Sequence, residues 1–261
     1  MDILNALTVL INFTVIPALA YGSQLALGAI FVTLIYAVLR FANFATGDMM
    51  SFGTMFAVLL TYYFQTIGIN FGFLPTASED NKDKIKLFYS ELDKYNIQLS
   101  HFELCSSSNG FEEWLMAQDI IYIGGGNTKF MIKVWEDNNL IKLFIDAYNS
   151  GIILSGISAG AVCWFDWILS DSVGPGYNPL RGINILSGSC TPHSSVPERM
   201  TQYQLDIKNS KLPPGIAIDD GVAVLFVDGS AKEVCTARNG CDAYFIDKNS
   251  KISLNEYINK L

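Results

Sequence analysis

Gly156-Ile157-Ser158-Ala159-Gly160 follows an apolar run, Ile152-Ile153-Leu154. A serine between two glycines at the end of a strand is what a nucleophile elbow needs. The chain turns sharply, the serine takes a strained conformation, and a helix starts at once. The glycines relieve the crowding, and the amide end of the helix stabilises developing negative charge. Taken alone, the same five residues also fit an ordinary tight turn between strand and helix. A second stretch, Gly124-Gly125-Gly126-Asn127-Thr128, leaves backbone N–H groups unshielded by side chains. It fits an anion cradle or oxyanion hole, or else a glycine turn before a helix capped by Asn127 or Thr128. It is not G-x-G-x-x-G, and no Lys-Ser/Thr follows, so a nucleotide phosphate is the poorer reading. A third stretch, Thr191-Pro192-His193, puts a histidine in a loop downstream of the serine, a sensible place for a general base. The other of the two histidines, His101, falls in an alternating segment and reads as structural.

Such groups need a frame that brings them together. Residues 71–77 form a short apolar run ending in a turn, and 81–96 carry charges with apolar residues at helical spacing. Residues 97–104 alternate as a strand, 111–117 read as a short helix, and 119–126 are an apolar strand running into the glycines. Residues 139–149 are amphipathic and helical, 151–157 are another strand, and 159–169 read as a helix. Alternating strands and helices predict an α/β fold with a mostly parallel sheet flanked by helices. Ligands in such folds sit beyond the carboxyl ends of the strands. The loops at 75–78, 124–128 and 156–160 occupy those ends.

Four motifs then fall in one order: Pro75-Thr76-Ala77-Ser78, Gly124 through Thr128, Gly156 through Ala161, and Pro192-His193. Over residues 71–250 the chain resembles the dipeptidase E family of serine peptidases, which includes aspartyl dipeptidases and cyanophycinase-like relatives. Residues 163–172 and 215–226 are also similar to family segments. The resemblance implies Ser158 as nucleophile, His193 as base, and the N–H groups of Gly126 and Ala159 as the oxyanion hole. For the acid that orients the histidine it implies Asp171, on the loop after the nucleophile helix, as in the dipeptidases. Asp220 (or Asp219), matching the cyanophycinase-like relatives, is the alternative. Arg199 falls near the arginine that holds a substrate aspartate in the dipeptidases. The implied reaction is hydrolysis of short peptides, including dipeptides with amino-terminal Asp, through an acyl-enzyme. It uses no metal or organic cofactor.

Composition narrows the setting. The 261 residues carry a net charge of -8, and such an acidic excess disfavours nucleic acid as a partner. The five cysteines include no C-x-x-C pair and are odd in number, which points to reduced thiols in a cytosolic compartment.

The first 70 residues are different in kind. Their only charged side chains are Asp2, Arg40 and Asp48, and the uncharged runs 3–39 and 49–78 each exceed the ~20 residues a membrane span needs. The expectation is an all-α membrane hairpin of two or three helices, with lipid as its partner and the peptidase domain facing the cytosol. Gly22-Ser23, Leu34-Ile35-Tyr36, Asn43-Phe44-Ala45, Gly47-Asp48-Met49 and Gly53 resemble the amino-terminal part of branched-chain amino acid ABC transporter permeases. Only the first quarter of such a permease is matched, so transport by this chain and partnership with ABC transporter subunits are not expected. The domain division is 1–70, permease-like, and 71–261, peptidase-like, the latter lacking the family's usual first strand and helix. The alternative function is an inactive fusion or membrane fragment related to an amino acid transport permease.

Overall fold

Short apolar runs, too short for helices and rich in Ile and Phe, assemble into the sheet that carries the three loops. The computed structural model describes residues 68–259. The membrane hairpin expected over 1–70 lies, but for its last residues, outside them. Among the described residues no helix is long and apolar enough to cross a membrane.

The first half alternates as the spacing predicts. In chain order it comprises β1 (Asn70–Leu74), α1 (Lys82–Leu92), β2 (Gln98–His101), α2 (Phe111–Met116) and β3 (Ile120–Ile123). Then come α3 (Thr128–Asp137), α4 (Ile141–Asn149), β4 (Ile153–Gly156) and α5 (Ala159–Val162). The four strands pair in the order β2-β1-β3-β4, all parallel. Parallel neighbours need crossovers, and the helices supply them. Each helix buries one stripe. Asn81 caps α1 by accepting from the N–H groups of Asp83 and Lys84, and Ile85, Phe88 and Leu92 face inward at helical spacing. Phe88 stacks on Phe71 and Phe73 of β1, with ring centroids 5.6 and 4.7 Å away. Trp135 of α3 packs against Phe144 of α4 at 4.4 Å beneath the other sheet face.

The second half is mixed. It comprises β5 (Phe165–Ser170), β6 (Asn178–Arg181), β7 (Leu186–Thr191), α6 (Pro197–Lys208) and β8 (Gly215–Ile218). These are followed by β9 (Val222–Val227), β10 (Ser230–Thr236), β11 (Ala243–Ile246), β12 (Lys251–Ser253) and α7 (Leu254–Ile258). A six-stranded sheet runs β12-β11-β8-β7-β5-β6, and β9 and β10 form a separate hairpin. Only β5, β7 and β8 are mutually parallel. The parallel character expected from the sequence therefore holds throughout the first sheet and only at the centre of the second.

One element differs from its expectation. The helix predicted over 159–169 ends at Val162, and Phe165–Ser170 is the strand β5. Its aromatic and branched residues pair with β7 on one side and β6 on the other, and this tertiary pairing overrides a pattern that short apolar runs leave ambiguous. The five cysteines are all unpaired.

Candidate active site

Ser158 sits where β4 ends and α5 begins, with φ 53° and ψ -112°. A residue bearing a Cβ adopts such a backbone only when its surroundings enforce it. The flanking glycines show how they do. A Cβ on Gly156 would lie 2.3 Å from the Gly160 carbonyl oxygen, and one on Gly160 would lie 2.2 Å from that of Ile123. The helix thus starts directly against β3 and β4, closer than any side chain allows. The turn has the sharp, strained strand-to-helix geometry of an elbow, with Ser158 at its corner.

The glycine run after β3 closes over the serine. Gly124 N–H donates to Leu74 O (3.0 Å) and Asn127 N–H to Ala77 O (2.7 Å), so the turn containing Pro75 through Ser78 holds the loop from behind. Gly126, with φ 154°, passes so close that a Cβ would meet Ala77 O at 2.1 Å. Of the two capping candidates, Asn127 caps α3, its side chain accepting from Phe130 N–H at 2.9 Å. Gly126 and Ser158 line one cavity of about 150 Å³, with His193, Asp171 and Arg199.

His193 follows β7 and also has a positive φ, 53°. Its Nε2 is 2.9 Å from Ser158 Oγ, and its Nδ1 is 2.5 Å from Asp220 Oδ1. A carboxylate only accepts, so Nδ1 carries the proton and Nε2 is the acceptor for the serine hydroxyl. The parallel pairing of β7 and β8 places the loops after them side by side. Those loops are clasped: Ser194 Oγ donates to Asp219 Oδ1 (2.6 Å), Ser195 Oγ to Asp220 Oδ2 (2.9 Å), and Ser194 N–H to Ile218 O (3.0 Å). Burial pushes the Asp220 carboxyl up, but the hydrogen bonds from His193 and Ser195 outweigh it and hold the group below its ordinary value.

The acid favoured from the sequence, Asp171, is not the one on the histidine. It lies on the loop after β5 and forms an ion pair with Arg199 at 3.6 Å. Nδ1 of His193 is taken by the alternative, Asp220, and Asp219 accepts instead from Ser194 and from Asp242 N–H. Sequence order put Asp171 nearer the serine; strand pairing put Asp220 nearer the histidine.

Arg199, on the first turns of α6, is buried yet reaches the cavity. Its Nε donates to Thr191 Oγ1 (3.1 Å) and one Nη to Leu169 O (3.4 Å), while the Tyr177 ring covers the guanidinium at 4.9 Å. Burial lowers its proton affinity, and Asp171 opposes that shift. The sequence singled out neither Ser195 nor Tyr177, and Thr191 only as a neighbour of His193. The serine pair Ser194-Ser195 and the acid pair Asp219-Asp220 were a visible signal, but their partnership depends on tertiary pairing. His101, read as structural, bonds to Tyr89 OH (2.8 Å) and to Glu103 (3.4 Å) on the outermost strand of the first sheet.

A serine hydroxyl bonded to an imidazole that is bonded in turn to a carboxylate can generate a nucleophile. The model of Peptidase family S51 matches residues 57–234, which include Ser158, His193 and Asp220. The uncharacterized peptidase YgaJ of Bacillus subtilis (strain 168) is 36% identical over 174 residues, covering 66% of this chain and 75% of that protein. The crystal structure of a peptidase from an acI-B1 Actinobacterium shares the fold, with TM-score 0.52 and 18% identity over 70% of this chain and 83% of that one. An α/β sheet with helices on its faces, an elbow serine and a match spanning most of the chain lead to one conclusion: this is a peptidase, and it belongs to Peptidase family S51.

Proposed function

We propose that the chain is a serine-type enzyme that hydrolyses short peptides through an acyl-enzyme on Ser158. His193 Nε2 takes the hydroxyl proton as Oγ attacks the peptide carbonyl carbon. The N–H groups of Gly126 and Ala159 hold the resulting oxyanion, and Asp220 stabilises the imidazolium. The C–N bond breaks, the amine leaves with the proton from His193, and water, deprotonated by the same ring, hydrolyses the ester. The observation that carries this reading is the continuous chain from Ser158 to His193 (2.9 Å) to Asp220 (2.5 Å), built on a serine with strained backbone. A fluorophosphonate probe tests it. Covalent labelling of the wild-type chain that vanishes in Ser158→Ala is the expected result. An unlabelled wild-type chain would instead favour the inactive fusion.

Arg199 supports a finer reading, preference for a peptide carboxylate such as the side chain of an amino-terminal Asp. A guanidinium binds a carboxylate through two parallel hydrogen bonds, and Arg199 lines the same cavity as Ser158. Hydrolysis of Asp-Leu compared with Asn-Leu tests this, and equal rates count against it. We further infer that the charge-poor residues 1–70 hold the protein at a membrane, with the peptidase on the cytosolic side, which suits its unpaired cysteines. The full chain should then pellet with membranes and require detergent for extraction. Release by alkaline carbonate alone would reject the anchor.

A further inference from the structure

We propose that Asp171 is an internal occupant of the carboxylate site at Arg199, and that a peptide carboxylate displaces it on binding. The inference rests on the reading of the cavity given above and names the residue that sets how strongly acidic peptides are taken. Three observations carry it. The Arg199 side chain is 6% exposed and that of Asp171 is 65% exposed, so the cation is fixed and the anion is the exchangeable partner. Thr191 and Leu169 occupy Nε and Nη2 of Arg199, leaving Nη1 directed at Asp171. At 3.6 Å this contact is an ion pair longer than the 2.7–2.9 Å typical of a charge-assisted hydrogen bond.

A buried cation needs an anion near it, and Asp171 supplies one. Among the described residues its carboxylate has no other partner. The backbone beside it is anchored: Ser172 Oγ accepts from Lys129 N–H (3.0 Å) and shares a hydrogen bond with Ser170 Oγ (2.8 Å). Displacement therefore needs only a side-chain rotation, with no movement of the loop. A peptide carboxylate entering beside Ser158 would gain the guanidinium and free the Asp171 carboxylate to water. Acidic peptides thus bind against an internal competitor, and neutral ones do not.

Calorimetric titration of the full chain tests this in a Ser158→Ala background, with and without Asp171→Asn. The probes are Asp-Leu, Asn-Leu and the amide of Asn-Leu. The first pair isolates a side-chain carboxylate and the second a carboxyl-terminal one. Asp171→Asn should tighten the carboxylate-bearing peptide about fivefold relative to its amide partner, the worth of one partly exposed ion pair. Adding Arg199→Gln should erase that gain. An unchanged or lowered ratio would show that Asp171 merely supports Arg199 and would overturn the proposal, as would no binding of any probe. Because this background cannot form an acyl-enzyme, the outcome is independent of whether Ser158 is a nucleophile, which labelling decides separately.

Discussion

Ser158 and His193 share an uncommon setting, each with φ 53°. Backbone in that region costs on the order of 1–3 kcal/mol for a residue with a Cβ, so the surrounding contacts must hold both groups in place. Removing the hydroxyl should be drastic: Ser158→Ala is expected to lower kcat by about 10⁶-fold, measured as steady-state peptide hydrolysis. The two candidate acids separate by the same assay. Asp220→Asn should cost about 10⁴-fold, because the amide N–H can donate to Nδ1 and favour the wrong tautomer, and the imidazolium loses its counter-charge. Asp171→Asn should show a far smaller loss, since its carboxylate faces Arg199 and not the imidazole. Equal losses would return Asp171 to the catalytic chain. Ser195→Ala removes one of the hydrogen bonds holding Asp220. It should lower kcat about tenfold with little change in KM, the worth of one hydrogen bond to a charged group.

At the scale of elements, the site depends on how closely α5 meets the strands. Gly160 has no room for a methyl group, since the clash would be with the backbone oxygen of Ile123 and no side-chain rotation relieves it. Gly160→Ala should therefore cost about 1–3 kcal/mol by overpacking. In a domain of this size that corresponds to a melting temperature lower by roughly 2–12 °C. Thermal unfolding followed by circular dichroism would reveal it, and an unshifted transition would mean the elbow tolerates a looser approach. The G-x-S-x-G pattern could be read from sequence because its spacing is short, although the crowding differs: Gly156 meets Gly160 within the turn, while Gly160 meets Ile123 on the neighbouring strand. The strand β5 could not be read, because its pairing with β6 and β7 is long-range and its residues match a helical pattern equally well.

Across the whole molecule, the candidate catalytic groups come from two sheets. Ser158 and the glycine loop belong to the four-stranded parallel sheet, while His193 and Asp220 follow strands of the six-stranded one. Their junction has a consequence for stability. The folded state holds the Asp220 carboxyl below its ordinary value, so the unfolded chain binds that proton more readily. The stabilisation is complete above the ordinary carboxylate range, about pH 4, and is lost as pH falls below it through the folded value. The gap in melting temperature between wild type and Asp220→Asn should therefore narrow between about pH 5 and pH 3 in scanning calorimetry. A constant gap would mean that folding leaves this carboxyl's proton affinity unaltered.

The order of the motifs, the glycines that crowded backbone demands, the serine and histidine, and the charge-poor opening seventy residues were all determined by the sequence alone. Each is a property of residue type and short spacing, where local sterics and solvation act. Only the tertiary structure decided which carboxylate meets His193, that Ser194 and Ser195 pair with Asp219 and Asp220, and that Asp171 answers Arg199 instead. Those choices follow from parallel pairing of β7 with β8 and of β5 with β7, which sets side by side loops that lie far apart along the chain. Distance along the chain carries no information about such neighbours, because hydrogen-bonded register between strands, not chain order, fixes which loops can touch.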